Sequence, residues 1–375
     1  MSIVADSSID RIGLARRIAA TFRRGVAQRD RSGEISVAAF DLLRATGLTA
    51  ALVPAEFGGG AATHREMGAI LREIGAHDPS TAVAFARHCQ LVATQVWRHR
   101  HGLDARALFE KVVDGAILVG TYAADWVESN GRAERDAGGY RVSARKERVG
   151  GCEVGSILVT SIRHGDAPGG PEVLHCSIPL GSTGMRIEKT GDAVGLRASG
   201  GHTVVLDEVY VPDSAIESAR PAGEWPALLN VVVGSGTPLV LSAYLGIADS
   251  AIDLATALIA EESAAHTFQL AGEMLNAHTT AADLIAAMFT DSDDLTFDAS
   301  DAHAGRTLSR KTVAADALVN TVRLAIEATG GTGYSRGCDL EMWYRDMHGC
   351  LFDPLPRAEQ TRFAGRTLLG HSPIG

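Results

Sequence analysis

The chain has no pair of cysteines spaced to share a metal or a redox centre. Its five thiols, Cys89, Cys152, Cys176, Cys338 and Cys350, stand far apart, are odd in number and include no Cys-x-x-Cys. Zinc-ribbon and dithiol chemistry are excluded, and reduced thiols are expected. There is no block of like charge either. A formal net charge of -10 and a pI near 5.7 leave no electrostatic footprint for nucleic acid. No stretch approaches 18 uncharged apolar residues, and the N-terminal MSIVADSSIDRIGLARRIAATFRRG lacks a continuous apolar core. Neither membrane insertion nor export is indicated, and a soluble cytoplasmic protein is expected. No internal repeat is present.

What the chain does have is apolar residues in a pattern that changes twice. With 375 residues, 46% of them apolar and 21% charged, a sizeable core is expected. From Ile9 to about Val113 the apolar positions recur at helical spacing, as in IGLARRIAATF and MGAILREIG, which predicts a helical domain over 1–114. Over 115–215 short β-rich runs broken by glycine and proline, such as SILVTSI, EVLHCSIPL and HTVVLDEVYVP, predict a barrel or sandwich of about seven strands. Over 226–375 long Ala-rich segments, including LVLSAYLGIADSAIDLATALIAEE and SRKTVAADALVNTVRLAIEATGG, predict a helical bundle. Near the end of the last long helix Gly330, Gly331 and Gly333 bare backbone N–H groups that can meet an anion, or else simply cap the helix.

Five stretches in this order resemble the acyl-CoA dehydrogenase superfamily: LVPAEFGGGAATHREMGAILREIG, GYRVSARKERVGG, GLRASGGHTVVLDEVYVPDSAI, LSAYLGIADSAIDLA and ATGGTGYSRGCDLEMWYRD. The resemblance implies a mostly α fold with a central β domain: an N-terminal helical domain, a β-barrel or sandwich, and a C-terminal four-helix bundle. It also implies a homo-oligomer, dimer or tetramer, with FAD or FMN between the domains. The glycine turn, Gly330, Gly331 and Gly333, would meet the flavin diphosphate from a neighbouring subunit. Thr121 in LVGTYAAD stands where the family's flavin-contacting threonine stands, although a surface strand threonine reads the same way. Val149 and Gly150 occupy the next flavin-facing strand, in place of an aromatic and a hydroxyl residue. Between Ala257 and Gln269 the chain reads ALIAEESAAHTFQ, without the Arg-x-x-Phe-Gly segment that dehydrogenases use on the partner's FAD.

The dehydrogenase base is missing as well. The family takes a substrate α-proton with a glutamate a fixed step after Tyr-Arg-Asp, and the same step from Tyr344-Arg345-Asp346 lands on Pro354. The alternative site on the first long bundle helix holds Thr237 or a neighbour. Dehydrogenation would have to borrow Asp353 or Glu359. The departures resemble the flavin-dependent monooxygenases of the superfamily, such as dibenzothiophene monooxygenase and the N-hydroxylases of amino sugars. These use reduced flavin and a C4a-hydroperoxide, and need no such base. In that branch a helix like DPSTAVAFARHCQLVATQVW turns a histidine to the flavin, which makes His88 a candidate, with a satisfied core histidine as the plain alternative. The Leu-His-Asp-Pro run of those enzymes reads LFDP here, Phe352 replacing the histidine, and His348 four residues earlier is the substitute.

The stretch ADWVESNG lacks the Gly-Ser-Asp run that holds CoA, so a carrier-bound thioester or a free small molecule is an equal expectation. Trp126, Phe85, Phe352 and Trp343 are candidates to line an apolar pocket. The expectation is a flavin-dependent oxidoreductase, monooxygenase ahead of acyl-CoA or acyl-carrier-protein dehydrogenase, with a flavin reductase as a possible partner. A flavin-free homologue that lost its site is the third reading. No metal is expected.

Overall fold

A computed structural model describes residues 10–121, 125, 127–259 and 265–375. The first block holds six helices: α1 (Arg11–Phe22), α2 (Val26–Ser32), α3 (Val37–Ala45), α4 (His64–Gly75), α5 (Pro79–Arg100) and α6 (Arg106–Val113). Their starts are written into the sequence. The side chains of Asp10, Ser36, Thr63 and Asp78 each accept the backbone N–H three residues on, so four helices begin on a satisfied cap. In α5, Pro79 follows the cap, and every residue from Pro79 to Val96 except Arg87 and Leu91 is buried. A helix enclosed on so many sides is a fixed frame for whatever its last turns carry.

Eight strands follow: β1 (Leu118–Gly120), β2 (Arg132–Asp136), β3 (Gly139–Val149), β4 (Ile157–His164), β5 (Glu172–Pro179), β6 (Met185–Glu188), β7 (His202–Pro212) and β8 (Ile216–Pro221). They form two four-stranded sheets, ordered β1-β4-β5-β8 and β2-β3-β7-β6. Among the described residues only the β1–β4 pairing is parallel. The strand count exceeds the expected seven: β2 and β8, whose polar residues hide them in the sequence, owe their places to pairing with β3 and β5. Lys146 in β3 is fully buried and donates to Asp125 Oδ2 at 3.0 Å, Ser129 Oγ at 3.3 Å and the Asn130 carbonyl at 3.2 Å. A buried ammonium satisfied this way pins the segment that leaves β1 against the second sheet.

The last block is α7 (Ala227–Leu258), α8 (Ala265–Asp291), α9 (Asp301–Thr329), α10 (Asp339–Met347) and α11 (Arg357–Leu368). Helix α7 corrects one expectation. Residues 225–248 carry no charge, and the helix is long and apolar enough to cross a membrane, but 94% of its most apolar window is buried inside the protein. It is the core helix of the bundle. It packs on α4 with the backbones in contact: a Cβ on Gly75 would strike the Ala243 carbonyl, and one on Gly246 the Arg72 carbonyl. All five cysteines are free thiols, as the sequence predicts.

Candidate functional site

Where α5, the first sheet and the start of α7 converge, a cavity of about 110 Å³ opens. Gln90, Leu91, Thr94, Gln95 and Arg98 line it from one face of α5, at the i, i+1, i+4, i+5 and i+8 spacing that a helix brings together. Thr121, one residue beyond β1, lies on its wall. Opposite stand Thr160 in β4 and His175 and Cys176 in β5, with Leu228, Leu229 and Val232 of α7 closing the apolar side. Neighbouring strand residues point to opposite faces, yet His175 and Cys176 both reach the cavity. The β5–β8 pairing shifts register opposite these two residues, with Glu217 as the extra residue on the β8 side.

Two polar groups here have unusual chemistry. The Thr160 hydroxyl is shielded from solvent and has no hydrogen-bond partner in the protein. Such a group costs stability unless something outside the chain satisfies it. The His175 ring accepts a hydrogen bond at Nε2 from Arg220 Nε at 3.1 Å, so its remaining hydrogen sits on Nδ1. Burial, followed by the nearby charges of Arg220 and Arg98, lowers its pKa to about 4. His175 is therefore a neutral hydrogen-bond donor at physiological pH. Glu217 is the one carboxylate on the described wall. It is exposed at the rim and is held by Ser177 Oγ at 2.6 Å and Gln95 Nε2 at 3.4 Å.

The residues singled out from sequence fall in different places. His88 is fully buried, its Nε2 on the Thr49 carbonyl at 2.8 Å and its Nδ1 accepting the Leu118 N–H at 3.0 Å. With both nitrogens spent on backbone and its pKa lowered to about 4 by burial, it has no free donor for a flavin. That corrects its expected role: it ties α5 to β1 behind the cavity. Asp353 is buried and ion-paired to Arg87, and is no free base. His348 is half-buried on the turn after α10, its Nδ1 bound to the Tyr344 carbonyl at 2.6 Å. Glu359 is exposed on α11. Neither histidine lines the cavity.

The whole LFDPLP segment is anchored. Lys311 of α9, almost fully buried, donates to the Leu351 and Leu355 carbonyls at 3.0 Å each, while Arg87 holds Asp353 between them. Of the expected pocket aromatics, Phe85 and Trp343 belong to the core and Phe352 is exposed, so none lines the cavity; Trp126 lies outside the described residues. So do residues 260–264 of the stretch without the arginine segment.

The positions expected to face the flavin differ in the room beside them. Val149 is fully buried and spends its side chain on the core. Gly150 is buried too, yet a Cβ there would meet nothing within 4 Å, so open space adjoins its backbone. Gly330 and Gly331 are exposed, Gly330 at φ 59°, and a Cβ on either meets nothing. Gly333 differs: it is buried, and a Cβ would strike Thr329 Oγ1. Thr121 on the cavity wall, the gap at Gly150 and the exposed glycine turn fit a flavin. Thr160, His175 and Arg98 were missed by sequence reasoning, because single polar residues in apolar strands and helices read as ordinary variation.

The buried histidines also set a pH dependence. Burial lowers His64, His88 and His175 to about 4 from an ordinary 6.5. Between those values each ring binds more protons unfolded than folded, so its contribution is complete above 6.5 and lost as pH falls toward 4. Burial raises the Asp346 carboxyl to about 7, which acts the other way: its contribution is lost as pH rises from the ordinary carboxyl range through 7. Three rings outweigh one carboxyl, so the urea midpoint should rise from about pH 5 to about pH 6.5. A midpoint that falls over this range would show that the rings are not buried neutral.

Residues 13–105 match the acyl-CoA dehydrogenase N-terminal domain family. The L-evernosamine nitrososynthase of a Micromonospora species is 28% identical, over 92% of this chain and 86% of its own. The dibenzothiophene monooxygenase of Rhodococcus qingshengii is 26% identical, over 66% of this chain and 61% of its own. The crystal structure of KijD3, in complex with FMN and a dTDP-linked amino-keto sugar, superposes with a TM-score of 0.87 at 24% identity, covering 98% of this chain and 95% of that one. The protein has the acyl-CoA dehydrogenase-like fold. Its curated relatives include members of the flavin-dependent monooxygenase branch of that superfamily.

Proposed function

We propose that the protein is a flavin-dependent monooxygenase acting on a small molecule in the cavity between α5, the first sheet and α7. The observation that carries this reading is the character of the cavity wall. It offers the unpartnered Thr160 hydroxyl and a neutral His175, while its one described carboxylate, Glu217, stays at the rim. Removal of an α-proton needs a general base within reach of the substrate, and Asp353 is held by Arg87 instead.

Reduced FMN or FAD, when bound, would supply the activation of oxygen. Thr160 and His175 would hydrogen-bond oxygen atoms at the reacting centre, and Leu91, Leu228, Leu229 and Val232 would keep water out. His88 acts through position, fixing the amide that begins β1 and so the strand that leads into Thr121. The glycine turn would meet the flavin diphosphate across a homo-oligomer contact, and a separate reductase would deliver the reduced flavin.

Supplying the protein with reductase, NADH, flavin and oxygen should give binding of reduced flavin and slowed release of hydrogen peroxide. Absence of any flavin binding would favour the flavin-free reading. Reduction of the bound flavin by an acyl thioester would favour dehydrogenation. Gly331→Asp is a clean probe of the diphosphate contact, because its side chain meets nothing in the fold and its φ is not left-handed. A carboxylate there should weaken flavin binding about tenfold or more. Unchanged affinity in fluorescence titration would remove the turn from the site.

A further inference from the structure

Arg98 sits one turn below the reacting end of the cavity, where that chamber meets an outer cleft of about 630 Å³ between α6, β5 and the start of β8. It lines both spaces. Its Nε is shielded from solvent with no partner, and its guanidinium makes no hydrogen bond or ion pair among the described residues. Nearby arginines differ: Arg100, at the end of the same helix, pairs with Asp294, and Arg106, at the start of α6, with Glu110. Arg98 is half-buried, and a guanidinium that keeps its charge and has no partner among the described residues is free to take an anion from the cleft.

The cleft's two carboxylates do not provide it. Asp104 Oδ1 accepts the Arg106 N–H at 3.0 Å, Glu217 is held by Ser177 and Gln95, and neither pairs with Arg98. Lys111 adds a second cation to the same wall.

We infer that Arg98 binds an oxyanion, carboxylate or phosphate, at the end of the substrate remote from the reacting group. The inference rests on the proposed function for what happens at the other end. It makes the substrate a small molecule with its oxidisable centre at Thr160 and His175 and its charge in the outer cleft. The guanidinium fork suits such a group, since its two terminal nitrogens can hold two oxygens at once.

The test is calorimetric titration of the protein with phenyl phosphate, benzoate and the neutral benzyl alcohol, in wild type, Arg98→Gln and Arg98→Lys. At least one anion should bind about tenfold or more tightly than benzyl alcohol, and Arg98→Gln should lose that margin while Arg98→Lys keeps part of it. The ratio of phenyl phosphate to benzoate tells phosphate from carboxylate. Arg98→Gln should melt no lower than wild type, because no contact within the fold is lost. Equal binding of anion and alcohol, undiminished anion binding in Arg98→Gln, or a lower melting temperature in that variant would overturn the assignment. The reaction of bound reduced flavin with oxygen, measured without probe, is a separate readout. If it fails while Arg98-dependent anion binding holds, the monooxygenase reading falls and the anion site stands.

Discussion

Arg87→Met should lower the stability of the protein by about 3–5 kcal/mol, with a corresponding fall in the urea midpoint. The Asp353 carboxylate is 6% exposed and its ion-pair partner is the Arg87 guanidinium; removing that guanidinium leaves a charge buried without compensation. Methionine keeps most of the side chain's bulk, so the loss reports the charge and not a cavity. Asp353→Asn should destabilise in the same direction, because the Arg87 guanidinium then faces a neutral amide. Neither change should abolish the chemistry in the fraction that stays folded. If Asp353→Asn removed activity with the urea midpoint unchanged, Asp353 would be a base and the segment would belong to a dehydrogenase. Lys311, on the carbonyls either side, makes the same segment a rigid wall rather than a reactive arm.

Thr160→Val should have opposite effects on stability and activity. Its hydroxyl is buried without a partner in the protein, so replacing it with a methyl should leave stability unchanged or raise it by about 1 kcal/mol. The same change removes the unpartnered hydroxyl of a residue that lines the cavity, and on the proposed reading coupling of oxygen use to product should fall by about tenfold to a hundredfold, with hydrogen peroxide released instead. Loss of a structural contact cannot produce that pairing. A destabilised Thr160→Val with normal coupling would mean that the hydroxyl serves the fold.

The order of helices, strands and helices was legible because each block keeps its own apolar period and its helices begin on Asp, Ser and Thr caps. β8 was not, because IESARP alternates no apolar residues and owes its place to pairing with β5. The missing base at Pro354 was legible by counting, and the structure adds why Asp353 cannot replace it. His88 shows the limit in the other direction. Its neighbours in sequence suggest a flavin contact, but whether an imidazole meets a ligand or a backbone carbonyl depends on Thr49, 39 residues away. Thr160, His175 and Arg98 come from two strands and a helix, and no spacing in the chain relates them. Glu217 is the extra residue where the β5–β8 register shifts, and such shifts leave no mark that the pattern of apolar residues can show.

Stopped-flow mixing of the reduced-flavin complex with oxygen tests the central claim most directly. A flavin-dependent monooxygenase with Thr160 and His175 at its site should give a transient absorbing species distinct from both reduced and oxidised flavin. That species should live shorter in Thr160→Val. Slow return to oxidised flavin in a single featureless phase, the same in wild type and variant, would contradict it.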